Sequence, residues 1–356
     1  MELSLAKGWT QVEPKDTPFS ILMSNQNVGQ RFVASNTSFS QQRDLGFSGG
    51  LNCPIAVDHA KKRAFISVVG IVSFDLVTGE TQTFDIGNGL SAVWMLAKIP
   101  DEPLLLMHTS SGEPFENYLT HLNLDTGTIS KQPLPKDAFC PLDVDFTTSR
   151  VLYNSRGGAA VFDFGGEVQT IASIDLSQQV LRGFFDGVGQ RVVFGGSGIS
   201  GNEGLTGWNL ETGKCVRLSE TGSCPQIDRE GDIWFSFGEG ALAKLKGNEA
   251  GFEAIVALTQ LDTSGRSSGS YAQPITFSPD GRYGVACLTG KKPLIGEKLK
   301  EAIEFAKGLG RENSELDKYS YHHYLCVLDL KTQEVWCHEG YTHNLAWVAG
   351  DYFSDV

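Results

Sequence analysis

The chain has 356 residues, 42 acidic against 29 basic, and a formal charge of −13, so nonspecific attraction to nucleic-acid phosphates or anionic lipid is disfavoured. Its length admits several average domains or one large repetitive all-β body, and a hydrophobic content of 40% is ample for a core. The opening segment lacks the pattern of a secretory signal, the longest nearly apolar run (64–74) is about half a membrane span, and none of the seven cysteines stands in a C-x-x-C spacing, so a reduced, cytoplasmic protein is expected.

Taken in chain order, "FSILMSN" (19–25) and "RFVASN" (31–36) read as strands ahead of the first repeat. Asn52-Cys53-Pro54-Ile55-Ala56-Val57-Asp58 then begins a pattern that returns as Phe139-Cys140-Pro141-Leu142-Asp143-Val144-Asp145-Phe146 and, shorter, as Ser223-Cys224-Pro225-Gln226-Ile227-Asp228. Proline suits the first residue of a strand, where no ladder donor is needed. A second unit, an apolar strand ending in Asp or Asn before Thr-Gly, recurs at 75–79, 123–127 and 209–213, and in decayed form at Asp329-Leu330-Lys331-Thr332-Gln333. Glycine there supplies the positive φ of a hairpin turn. A third unit precedes another strand, as in Pro279-Asp280-Gly281-Arg282 before "YGVACL".

The residues just before these strands are Arg63, Pro103, Arg150, Arg191, Asp232, Arg282 and Asp351. Most intervals are about 40 to 50 residues, the period of a four-stranded propeller blade. The fold expected is therefore all-β: a seven-bladed β-propeller over residues 1–356, four antiparallel strands per blade. Asp351 leaves room for strands A and B of blade seven, and the first 50 residues are expected to supply C and D. "FSPDGR" (277–282) resembles the turn of WD-repeat-like and TolB-type propellers, and "DLVTGE" (75–80) resembles theirs and that of lactonase-type repeats. The resemblance implies a propeller and no single activity, because such folds carry binding scaffolds and enzymes alike.

In this architecture the A–B and C–D turns share one rim and the B–C and D–A connections the other. The B–C loops of blades two, four and six are long (108–117, 195–206 and 290–323), which marks that rim as the working face. The Cys-Pro copies place Cys53, Cys140 and Cys224 at the channel mouth, with Arg182, Gln273 and His343. Packing is favoured over metal ligation there, since alternate blades hold the sulfurs apart. His108, His322, His323, His338 and His343 gather on the same rim. The last four are the weak metal candidates, although solvated loop histidines are the plainer reading.

Residues 291–318 form a helical insertion between strands B and C of blade six. Leu294, Ile295, Leu299, Ala302, Ile303, Ala306 and Leu309 recur at helical steps opposite charged residues. The stripe is expected to lie on the propeller's own rim as a lid, with docking to a partner as the alternative. "YSYHHY" (319–324) follows it. The preferred function is a noncatalytic module without cofactor that recognises a protein or peptide, basic in view of the chain's acidity, through Phe305, Tyr319, Tyr321, His322, His323, Glu113 and Glu203. An inhibitor or immunity-type protein is one version of it. The alternative is a metal-assisted lyase or hydrolase at the channel mouth, with a divalent metal ion on the histidines and Arg182 or Tyr321 stabilising charge.

Overall fold

The computed structural model describes residues 2–25, 31–48, 54–68, 70–87, 90–112, 116–155, 157–166, 169–175, 180–187, 190–196, 204–237, 240–245, 251–259, 274–308, 319–340 and 342–350. Two short strands, β1 (Leu3–Leu5) and β2 (Thr10–Gln11), precede β3 (Phe19–Asn25), β4 (Arg31–Asn36) and β5 (Gln42–Ser48). Blade one is β6 (Ile55–Asp58), β7 (Arg63–Val68), β8 (Gly70–Asp75) and β9 (Thr81–Phe84). Blade two is β10 (Leu90–Lys98), β11 (Leu104–Ser111), β12 (Asn117–Asn123) and β13 (Ile129–Pro133). Blade three is β14 (Ala138–Asp145), β15 (Arg150–Ser155), β16 (Gly158–Asp163) and β17 (Gln169–Asp175). Blade four is β18 (Val180–Asp186), β19 (Arg191–Gly196), β20 (Leu205–Asn209) and β21 (Cys215–Ser219). Blade five is β22 (Ser223–Ile227), β23 (Ile233–Phe237), β24 (Ala241–Leu245) and β25 (Phe252–Leu258). Blade six holds β26 (Thr276–Phe277), β27 (Tyr283–Pro293), the helix α1 (Gly296–Gly308), β28 (Tyr319–Asp329) and β29 (Glu334–Glu339). Blade seven is β30 (Thr342–Ala349), followed outward by β3, β4 and β5. The expected seven-bladed propeller is present.

Ring closure differs from the sequence reading in one respect. Blade seven takes only one strand from the end of the chain, and β3 occupies the place expected to follow Asp351, pairing Phe19 with Ala349 and Asn25 with Thr342. The alternation of Phe19, Ile21 and Met23 explains the choice: all three pack with Val285, Leu325 and Trp336 of blade six. The sheets of blades five and six each gain a fifth, outer strand, β1 antiparallel to β25 and β2 parallel to β29. These additions cover two outer edges that would otherwise present unpaired backbone groups.

The core lies between blades. Seven buried clusters each join two neighbouring blades, so every sheet is apolar on both faces. Trp336, for example, is fully buried between blades six and seven and donates its indole N–H to the Thr37 carbonyl over 2.8 Å. Burying a side chain of that size is worth ~3 kcal/mol.

The recurring aspartates are turn caps. At the end of the first strand, Asp58, Asp145 and Asp228 accept the backbone N–H of Lys61, Thr147 and Asp232 over 2.9–3.0 Å, and Ser278 accepts that of Tyr283. At the end of the third strand, Asp75, Asn123 and Asp329 each accept two N–H groups of the following turn. Local side-chain acceptance of this kind reproduces a turn without needing tertiary support.

Candidate functional site

The blade topology puts the connections after β7, β11, β15, β19, β23, β27 and β3 on one rim, together with the links between blades. The largest feature there is the blade-six arm. β27 and β28 pair from Tyr283↔Asp329 to Pro293↔Tyr319, so the hairpin extends beyond its neighbours before α1 begins. His322 and His323 are therefore strand residues opposite Gly290 and Thr289, not loop residues. Residues 309–318 lie outside the described residues.

The expectation of a lid is not met. No described residue of α1 is buried, and Ile295 and Phe305 are 80% and 69% exposed. Leu294, Leu299, Ala302 and Ile303 are half-buried. At the base of the arm, Lys291 Nζ sits 4.6 Å from the ring centre of Tyr319, and Thr289 Oγ1 lies 2.9 Å from His323 Nδ1. His322 Nε2 is 3.1 Å from Ser320 Oγ, and its Nδ1 is 3.4 Å from Glu339 Oε1. Tyr321 is half-buried beside them. Two further apolar side chains on this rim are exposed, Phe139 at 52% and Phe237 at 37%.

At the channel mouth three of the expected residues come together. Cys140 stands in β14 and Cys224 in β22, each beside an irregularity in strand pairing, and the charge of Arg182 of β18 acts on both. Burial pushes both thiols up, while the Arg182 charge opposes that shift at each and its guanidinium hydrogen-bonds Cys224. Asp143, half-buried in the same inner ring, accepts the Phe185 N–H over 2.7 Å, and burial raises its carboxyl to about 6. Cys53, Glu113, Glu203 and Gln273 lie outside the described residues, as does the side chain of His343, whose backbone belongs to β30.

The expected histidine group is dispersed. His108 is wholly buried in β11, and desolvation lowers its imidazole to about 4. His338 stacks on Phe39 with ring centres 5.1 Å apart, and burial lowers it too. Among the described residues no group of three or more His, Cys, Asp or Glu side chains is arranged to hold a metal. No described helix is long and apolar enough to cross a membrane.

Two features escaped the sequence reading. Cys326 and Cys337 face each other across β28 and β29 with Cα atoms 4.1 Å apart and are disulfide-bonded, a correction to the expectation of reduced thiols throughout. The signal was present: the two cysteines stand three residues outside Asp329 and Glu334, the pair that closes their turn. The second feature is a cleft of about 730 Å³ on the opposite rim, between blades five and six. Trp9, on the segment joining β1 to β2, lines it and meets the Trp234 ring edge-on at 6.4 Å. Most charges in the cleft are satisfied internally: Lys244 pairs with Asp232, Arg282 with Asp329, and Arg229 donates to the carbonyls of Pro279 and Asp280.

No family model and no curated protein matches the chain. Solved structures with the same fold include a functionally unknown protein from Desulfotomaculum acetoxidans, with a TM-score of 0.59 and 12% identity over 94% of this chain and 100% of that one. An oligogalacturonate lyase in complex with manganese gives 0.53 and 9% over 91% and 85%. Virginiamycin B lyase from Staphylococcus aureus gives 0.51 and 13% over 80% and 95%. Likeness at such identity is likeness of fold alone.

Proposed function

We propose that the chain is a noncatalytic binding module that takes up a protein or peptide through the arm-bearing rim. The observation that carries this reading is the arm itself: an extended hairpin that holds a helix clear of burial, with Ile295 and Phe305 open to solvent. Apolar side chains in that position cost solubility unless something covers them. Phe139 and Phe237 add apolar area on the same rim. The charge of −13 suits a basic partner, while residues 291–308 carry five lysines against three glutamates. The partner's basic groups therefore meet the propeller body, and the helix contributes apolar contact.

The test is affinity capture from the native cell with three proteins: the intact chain, one with residues 294–318 replaced by a short turn, and the double variant Ile295→Ser, Phe305→Ser. A partner held by the first and absent from the others is expected. Equal capture by all three overturns the reading.

A second reading, a metal-assisted lyase or hydrolase, draws on the His322–Glu339 pair, since a carboxylate that orients an imidazole favours a general base or a metal ligand. Stoichiometric divalent metal in untagged protein, lost on His322→Ala, would favour it.

A further inference from the structure

The blade-two to blade-three interface contains buried polar atoms that nothing among the described residues satisfies. Both ring nitrogens of His108, the Asn117 amide oxygen and the Tyr153 hydroxyl have no hydrogen-bond partner there. His108 and Tyr153 are 0% exposed and Asn117 is 9% exposed. The two rings lie 5.7 Å apart at 78°. The Asn117 side chain interacts with the His108 ring, and because its Nδ2 donates to the Ala138 carbonyl at 2.8 Å it is the amide oxygen that faces the imidazole, without a hydrogen bond of normal geometry. Buried polar groups left without partners each forfeit roughly a hydrogen bond, and native structures rarely tolerate several in one place.

We propose that blades two and three enclose a polar cavity holding ordered water, which bridges the His108 imidazole, the Asn117 amide oxygen and the Tyr153 hydroxyl. The donor and acceptor inventory fits one bridging molecule. A neutral imidazole offers one N–H and one lone pair, the amide oxygen only accepts, and the hydroxyl does either. Water donates twice, to Asn117 Oδ1 and the bare ring nitrogen, and accepts from the Tyr153 O–H, while the imidazole N–H points away from it on the other side of the ring. The position gives the water a task. His108 lies in β11 and Asn117 begins β12, so the two residues flank the blade-two loop of the working rim. Tyr153 belongs to β15 of blade three. The water thereby adds a second tie, beside the Asn117–Ala138 bond, between the base of that loop and the next blade.

Two measurements on the full chain test this. A crystal structure fine enough to show solvent should place a water within hydrogen-bond reach of Tyr153 Oη and a His108 ring nitrogen. Tyr153→Phe, which removes only the hydroxyl, should lower Tm by about 2–4 °C and weaken that water's density. An empty position, a metal ion or a protein group there overturns the proposal. So does a Tm that stays level or rises in the variant, because a hydroxyl with no partner loses nothing when deleted.

Discussion

Single residues set the turns of this propeller, and their effects are measurable as stability. The decayed repeat puts Gln333 where the other copies have glycine, and its φ is +57° against +76° at Gly79 and +71° at Gly127. Gln333→Gly is expected to stabilise the fold by about 0.5–1 kcal/mol in urea titration, because the left-handed conformation is strained for a side chain and free for glycine. Asp228 receives the Asp232 N–H at 2.9 Å and the buried Trp234 indole N–H at 2.8 Å. Asp228→Ala should cost about 2–4 kcal/mol, since both donors are orphaned at once.

His108 supplies a pH dependence with a definite sign. Its folded value, about 4, lies below the ordinary 6.5, so the unfolded chain takes up the proton first. Stability is full above about 6.5 and falls by roughly 3 kcal/mol as the pH drops toward 4. Asp143 acts oppositely over an overlapping range: its raised value, about 6, means its contribution is present below the ordinary 3.8 and lost as pH rises through 6. Urea midpoints from pH 7 to 4.5 should therefore fall less steeply in His108→Asn. Asp143→Asn should be ~1 kcal/mol more stable than the parent at pH 7, after allowance for its partial exposure.

At the scale of elements, the helix of the arm was legible in the sequence and its surroundings were not. Apolar residues at helical steps after Pro293 specify the periodicity of α1, but periodicity states only that a stripe exists, not what covers it. What decides that is the length of the β27–β28 ladder, which carries the helix beyond the body. Replacing residues 294–318 with a short turn should leave Tm within about 2 °C of the parent, because little surface is buried by the helix. A large loss of Tm would mean that the helix packs on the body after all. "YSYHHY" shows the converse limit: its residues suit a recognition surface or strand C equally well, and what decides is that each pairs with 288–293, a register set by the hairpin below it.

For the whole molecule, closure is where the two ends of the chain meet. Removing residues 1–12 would strip β1, β2 and Trp9 from blades five and six but leave blade seven intact. A folded protein with a lower Tm is expected by calorimetry. Removing residues 1–48 would leave β30 as a lone strand and expose the apolar faces of blades one and six, and no cooperative unfolding transition should survive.

The sequence by itself determined the repeat, the blade count and the rim each connection occupies, because turns are local: an aspartate caps the backbone within four residues and glycine sets φ where it stands. Tertiary structure alone decided which end of the chain supplies each strand of blade seven, which histidines are buried, and that one guanidinium's charge acts on two thiols of alternate blades. These depend on contacts between residues far apart in sequence, and such contacts leave no mark on a local pattern.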